Sequence, residues 1–168
     1  MTMQPFQSKV EQGQIVSGPI VSEVRAPGPI KSLAVAGHDF VWLDMEHALY
    51  GWETLHWAVQ YARAVGIAPL VRVTDLSYPL IARALDAGAS GIVVPRVETR
   101  EQVEEAVSCT YYPPRGRRGA GGEARYLYEP TTEAISSRLA SARSVSTWTI
   151  SVVSALISLM ASATVVGS

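Results

Sequence analysis

The sequence predicts an α/β fold built from repeated strand–helix units, and a (βα)8 barrel is favoured over an open, doubly wound sheet. Short apolar runs alternate with segments of helical periodicity as far as about residue 110. The apolar runs are continuous rather than alternating, which is typical of parallel strands covered on both faces. No Gly-x-Gly-x-x-Gly motif follows the first run, so the nucleotide-binding form of the open sheet lacks its signature.

The elements follow one another in a regular order along this part of the chain. Strands are predicted at 19–24, 40–43, 69–73 and 91–97. Helices are predicted at 29–36 and 53–65, and a further helix is marked by Leu80, Ile81, Ala84 and Leu85 and closed by Gly88. Thr99 is predicted to cap a fourth helix, with Gln102 as its capping-box partner.

The strand–helix rhythm stops after about residue 122. From Ser136 onward the chain is rich in Ser, Thr and small apolar residues, and no charged residue follows Arg143. We therefore divide the chain into a polar N-terminal arm (1–14), the N-terminal half of a barrel (15–125) and a divergent tail (126–168). Segment 150–166 is apolar, but serines interrupt it and it is shorter than the ~20 apolar residues of a membrane span, so a membrane anchor is not favoured.

The net charge and the cysteine content argue against several classes of protein. A formal net charge of −1 at pH 7 in 168 residues argues against a general nucleic-acid binder. The single cysteine, Cys109, excludes an internal disulfide and a multi-cysteine metal site. Residues 1–14 lack the apolar core of a signal peptide, so a cytoplasmic location is expected.

The segment FVWLDMEH at 40–47 carries the clearest chemical signal. An apolar strand ends in Asp44, and Glu46 and His47 follow at once. An acid three residues before a histidine can hold the imidazole in one tautomer and leave the other nitrogen as a base. The pair is equally compatible with a structural role. Glu46 is interpreted as a supporting or structural residue, because one carboxylate beside a histidine does not make a metal site.

The next predicted strand delivers Arg72 from within an apolar run, APLVRV at 68–73. A guanidinium is rarely placed in a buried strand unless an anion lies opposite. The sequence leaves two alternatives for the anion that pairs with Arg72: a substrate carboxylate, or the acids Asp44 and Glu46. Asp86 lies in a turn, where a local backbone cap is the simplest interpretation. Arg96 is expected to face either a ligand or a neighbouring subunit.

The segment YYPPRGRRGAGG at 111–122 is basic and glycine-rich. Arginines beside aromatic residues suit RNA phosphates and bases, but one short cluster in a nearly neutral chain supports that function weakly. We predict a mobile loop that borders a site for an anion.

Four segments together resemble the HpcH/HpaI aldolase family, which comprises metal-dependent class II pyruvate aldolases and has macrophomate synthase among its relatives. The segments are FVWLDMEH at 40–47, PLVRV at 69–73, ALDAGASGIVVPRV at 84–97 and YPPRGRRG at 112–119. The resemblance covers about residues 15–125. It implies a (βα)8 TIM barrel of which this chain holds about the first four βα units.

The resemblance also implies a function, an aldehyde-lyase that cleaves or forms 4-hydroxy-2-oxo acids through a pyruvate enolate. A divalent ion (Mg2+, Mn2+ or Co2+) would bind the substrate oxygens and stabilise that enolate. Arg72 would bind substrate and donate to the enolate oxygen. His47, oriented by Asp44, would take the proton of the 4-hydroxyl through a water. Asp86 matches a family position near subunit contacts.

The family's two metal-binding carboxylates, a Glu that ends the fifth strand and an Asp in a Gly-Pro-x-Asp-Leu segment, have no counterpart in this sequence. The acids that follow residue 119 are Glu123, Glu129 and Glu133, and none ends an apolar strand. We therefore expect a truncated aldolase that carries no metal ligands and is impaired or inactive alone. The alternative is a non-catalytic partner of full-length relatives. The expected assembly is a homo-oligomer or an association with such relatives.

Overall fold

The computed structural model describes residues 4–23 and 26–119, in which strands alternate with helices. The strands are β1 Ile20–Val21, β2 Phe40–Asp44, β3 Ala68–Arg72 and β4 Gly91–Val93. The helices are α1 Gln4–Glu11, α2 Gly28–Val35, α3 Trp52–Ala64, α4 Tyr78–Asp86 and α5 Arg100–Thr110. This order confirms the predicted βα repeat.

The four strands form one parallel sheet in the order β1-β2-β3-β4. The register places Phe40 opposite Ala68 and Asp44 opposite Arg72. Because β2 and β3 end at this last pair, both side chains lie at the carboxyl edge of the sheet. Side chains alternate between the two faces of a strand, so Asp44 and Arg72 share a face with Phe40 and Ala68.

The opposite face of the sheet carries the main core. Val41 and Leu43 of β2 and Val71 of β3 are fully buried there. They belong to one cluster with the inward residues of α3, which are Leu55, Ala58, Val59 and Ala62. The continuous apolar strands therefore reflect burial on both sides, as expected for a parallel sheet covered by helices.

Helix α1 covers the amino end of the face that carries Asp44 and Arg72. Phe6 packs edge-on against Phe40, with ring centroids 5.8 Å apart, and joins a cluster with Ala68 and Leu70. Lys9 pairs with Asp39 at the same edge. The segment expected only as a polar arm thus contains a helix, anchored by one aromatic side chain.

Strand β4 is shorter than predicted, ending at Val93 rather than Val97. Pro95 has no N–H to donate to a neighbouring strand. Arg96 has a φ of 55°, in the left-handed region that strands do not use. The chain therefore leaves the sheet before the end of the apolar run.

Several sequence predictions fall outside the described residues. They concern the tail (126–168), the apolar segment 150–166 and the three acids Glu123, Glu129 and Glu133. Within 4–23 and 26–119, none of the helices is long and apolar enough to cross a membrane.

The capping box of α5 gives a first test of the fold. The Gln102 backbone N–H donates to Thr99 Oγ1 over 3.3 Å, and the Thr99 N–H donates to Gln102 Oε1 over 3.1 Å. Thr99→Ala removes the side-chain acceptor, and we expect the free energy of unfolding to fall by about 1 kcal/mol. Urea denaturation of the full chain measures this loss. Thr99→Ser keeps the hydroxyl as a matched control, and equal stability of both variants would contradict the cap.

Candidate active site at the carboxyl edge of the sheet

Asp44 and Arg72 form a two-pronged ion pair at the carboxyl edge of the sheet. Arg72 Nε donates to Asp44 Oδ1 over 2.8 Å, and Arg72 Nη2 donates to Asp44 Oδ2 over 2.6 Å. The parallel register sets the two residues side by side on neighbouring strands. The planar guanidinium matches the carboxylate, which gives the pair strength and a defined orientation.

Both members of the pair remain charged near neutral pH. The Arg72 guanidinium lowers the pKa of Asp44, and burial opposes this shift less strongly. The Asp44 carboxylate in turn raises the pKa of Arg72. Asp44 is 1% exposed, whereas the Arg72 side chain is 22% exposed. The acid is therefore enclosed while part of the guanidinium still faces solvent.

Asp44 also holds the backbone of the loop that follows β2. Its Oδ1 accepts from the Glu46 N–H over 2.9 Å and from the His47 N–H over 3.4 Å. The expected contact between Asp44 and the His47 imidazole is replaced by this contact with the His47 backbone. The carboxylate thus positions His47 through the main chain.

Glu46 lies between three basic side chains. Its Oε2 is 3.4 Å from Arg72 Nη1 and 3.7 Å from His47 Nε2, and its Oε1 is 3.8 Å from Arg96 Nε. The Glu46 side chain is 12% exposed and that of His47 is 70% exposed. Glu46 therefore links Arg72, Arg96 and an accessible imidazole, a more central position than the sequence indicated.

The Trp42 ring lies beside the Arg72 guanidinium of this cluster. It precedes Asp44 by two residues on β2, and Arg72 Cζ lies 5.8 Å from the centroid of its ring. The Trp42 indole Nε1 is buried and has no hydrogen-bond partner within the described part of the chain. An aromatic ring beside a guanidinium lowers the local polarity and strengthens the charge interactions above it.

Asp86 lies at the other edge of the sheet. Helix α4 returns from the end of β3 to the start of β4, so its last residue, Asp86, is at the amino edge. Arg118 Nη2 donates to Asp86 Oδ1 over 2.8 Å, and the Arg118 side chain is only 6% exposed. Asp86 is thus separated from the Asp44–Arg72 pair and ties the loop after α5 to α4.

The described part of the basic loop after α5, residues 111–119, packs against helices α4 and α5. Arg117 pairs with Glu105 of α5, and the Gly119 N–H donates to the Tyr78 hydroxyl of α4 over 2.8 Å. Arg115 stacks over Tyr111, with its Cζ 3.7 Å from the ring centroid. The predicted border of an anion site stays a prediction, because residues 120–122 of this loop lie outside the described residues.

Comparison with known proteins identifies the family. The family model described as HpcH/HpaI aldolase/citrate lyase matches residues 23–158, which is most of the chain. The chain belongs to the HpcH/HpaI aldolase/citrate lyase family. The match extends past residue 125, the limit that the four motifs alone indicated.

Individual members of the family are similar to this chain in sequence and in structure. The 2-keto-3-deoxy-L-rhamnonate aldolase of Escherichia coli O9:H4 (strain HS) is 34% identical over 117 residues, which are 70% of this chain and 43% of that protein. The crystal structure of an HpcH/HpaI aldolase from Desulfitobacterium hafniense DCB-2 gives a TM-score of 0.71 at 32% identity, over 79% of this chain and 51% of that one.

Macrophomate synthase is a further structural relative, with a TM-score of 0.58 and 33% identity over 73% of this chain and 42% of that one. The chain therefore spans about half the length of the relatives it matches. The described sheet corresponds to the first part of the family's TIM barrel, as the sequence predicted.

The carboxylates described at the carboxyl edge of the sheet do not fit a divalent metal by themselves. Both Asp44 oxygens accept from Arg72, and each Glu46 oxygen faces a guanidinium. A divalent ion needs several oxygen donors directed at one point. No group of three or more His, Cys, Asp or Glu side chains that could hold a metal occurs among residues 4–23 and 26–119. This part of the chain contributes cationic and basic groups.

Removing the carboxylate of the pair tests its role in stability. Asp44→Asn leaves the Arg72 guanidinium with only its longer contact to Glu46, and we expect a loss of about 3 kcal/mol because breaking an enclosed ion pair is costly. Equilibrium urea unfolding at pH 7 measures this. Glu104→Gln, which breaks the exposed Arg100–Glu104 pair, is the control and should leave the free energy of unfolding nearly unchanged because solvent screens this pair. Equal losses in both variants would contradict an enclosed pair.

The same variant should change the response to acid. The folded-state pKa of Asp44 is lowered below 3.8, so its contribution is present above that value and is lost as the pH falls through the folded-state pKa. Between roughly pH 5 and pH 2 the wild-type chain should therefore lose more unfolding free energy than Asp44→Asn. Urea titrations across this range provide the comparison, and parallel curves would show that Asp44 carries no such shift.

Proposed function

We propose that the chain provides the enolate-binding and basic groups of a carbon–carbon lyase of the pyruvate aldolase type, which cleaves or forms 4-hydroxy-2-oxo acids. Family membership supports a lyase or aldolase. The observation that carries the proposal is the Arg72 guanidinium, fixed by Asp44 at the carboxyl edge of the sheet and still partly exposed. In barrel enzymes this edge is where the chemistry takes place.

Arg72 retains donors for a substrate oxygen. A guanidinium has five N–H donors, and Asp44 accepts one from Nε and one from Nη2. In the cleavage direction, the bond between C3 and C4 breaks and its electron pair forms the C2–C3 double bond of the enolate. Negative charge develops on the C2 oxygen. A guanidinium already held in place stabilises that charge without reorganising.

His47 is the proposed base. Its side chain is 70% exposed, so a substrate hydroxyl or an intervening water has access to the ring. The ring takes the proton of the 4-hydroxyl as C4 becomes the aldehyde carbonyl, and it returns the proton in the addition direction. The Glu46 carboxylate, 3.7 Å from His47 Nε2, stabilises the positive charge that the ring acquires.

Replacing Arg72 tests this function. Arg72→Lys keeps the charge but loses the planar fork, and we expect pyruvate release from 4-hydroxy-2-oxopentanoate to fall by about 100-fold. A coupled assay with Mg2+, Mn2+ or Co2+ supplied follows the release. Binding of oxalate, which shares the planar shape and charge of the enolate, is measured in parallel by calorimetry and should weaken in the same variant.

The control for this experiment is Arg83→Lys. Arg83 lies on α4 and stacks on Trp52, with its Cζ 4.3 Å from the ring centroid. Its variant should match the wild-type chain in both assays. Oxalate affinity that is independent of Arg72 would overturn the proposed function.

A second candidate function is a non-catalytic partner of full-length relatives. Two observations favour it: the matched part of the chain covers 43% of the rhamnonate aldolase, and the described sheet has β1 and β4 at its edges. This function predicts mixed complexes with a full-length family member in sedimentation experiments. Because the aldolase is itself expected to be impaired or inactive alone, these mixed complexes, rather than an absence of pyruvate release, distinguish this function from the catalytic proposal.

A further inference from the structure

The loop after β2 carries both Glu46 and the proposed base, His47. At the start of this loop, Asp44 accepts from the backbone N–H groups of Glu46 and His47. Further along, the Leu49 side chain is fully exposed, so packing of this side chain does not hold the loop. The path of the loop therefore depends on what fixes its far end, where Tyr50 lies directly before α3.

Tyr50 connects the far end of the loop to the first strand of the sheet. Its hydroxyl donates to the Val21 carbonyl oxygen over 3.4 Å. Val21 is the last residue of β1 and lies opposite Leu43 of β2. The Tyr50 ring is half-buried and packs against the main core cluster. This one side chain thus ties the loop both to the carboxyl end of β1 and to the core.

The surroundings of Tyr50 keep its hydroxyl protonated. Burial raises the pKa of the phenol, the negative charge of Asp44 raises it further, and a backbone hydrogen bond with Asp44 lowers it by less. The hydroxyl therefore remains a hydrogen-bond donor at neutral and at moderately alkaline pH. Asp44, which anchors the start of the loop, lies close enough to affect the group that anchors its end.

We propose that Tyr50 is a positioning residue that holds the loop after β2 so that the His47 ring stays beside Glu46. This inference rests on the proposed function, in which His47 is the base and Glu46 stabilises its charge. Three residues span at most about 10 Å, so a fixed Tyr50 restricts the paths open to the chain between it and His47. The ring thereby stays 3.7 Å from Glu46 Oε2 although the His47 side chain is 70% exposed.

Tyr50→Phe removes the hydroxyl and keeps the ring, and amide hydrogen exchange of the full chain measures the effect. We expect the His47 N–H to exchange about 10-fold faster, because one hydrogen bond contributes on that scale to keeping the loop closed. Val71 in the core of β3 should keep its rate, since the change is local. The matched control is Tyr61→Phe, which removes a phenol hydroxyl from α3 on a ring packed against the same core and should leave His47 unchanged.

A second measurement separates the positioning of the ring from an effect on stability. Glu46→Gln should shift the NMR resonances of the His47 ring in the otherwise wild-type chain, because the carboxylate lies beside Nε2. In the Tyr50→Phe chain the same replacement should shift them much less, because the ring no longer stays beside residue 46. In Tyr61→Phe the full shift should remain.

Three results would overturn the inference. They are an unchanged His47 exchange rate in Tyr50→Phe, an equal acceleration at Val71, and a Glu46→Gln shift that is the same with and without the Tyr50 hydroxyl. The proposed function fails separately, through oxalate binding that Arg72→Lys does not change, because that measurement depends on the guanidinium and not on the position of the His47 ring.

Discussion

The ion pair between Asp44 and Arg72 is the constraint on which the rest of the site depends. Enclosing a carboxylate is costly unless a counter-ion with matched geometry compensates it, and the parallel register supplies Arg72 directly opposite. Once formed, the pair leaves Asp44 with enough accepting capacity to bind the backbone N–H groups of Glu46 and His47. The position of the loop after β2 therefore follows from the same carboxylate that fixes the guanidinium.

The fold also separates two kinds of charged contact. Helices return every strand end to the opposite edge, so Asp44 and Arg72 lie at the carboxyl edge while Asp86 and Arg118 lie near the amino edge. The first pair leaves a guanidinium partly open to solvent, and the proposed function depends on this exposure. The second encloses its arginine and connects the loop after α5 to α4, which serves the stability of the domain.

Local sequence patterns predicted most of the described fold because they act over a few residues. The capping box at Thr99 and Gln102 and the continuous apolar strands are present as expected. Helix α1 was missed since its composition is polar and its anchor, Phe6, is recognisable only by contact with Phe40. The early end of β4 depends on the backbone conformation of Arg96, for which the apolar run gave no signal.

The sequence by itself determined which chemical groups end the strands, and hence that an acid, a histidine and an arginine would share one edge of a parallel sheet. Only the tertiary structure decided how these groups pair. The register sets Asp44 beside Arg72, whereas His47 lies on a loop with its ring turned to solvent. Proximity in sequence suggested an acid–imidazole contact, but strand pairing brought a guanidinium closer, and the stronger charge-assisted interaction formed there.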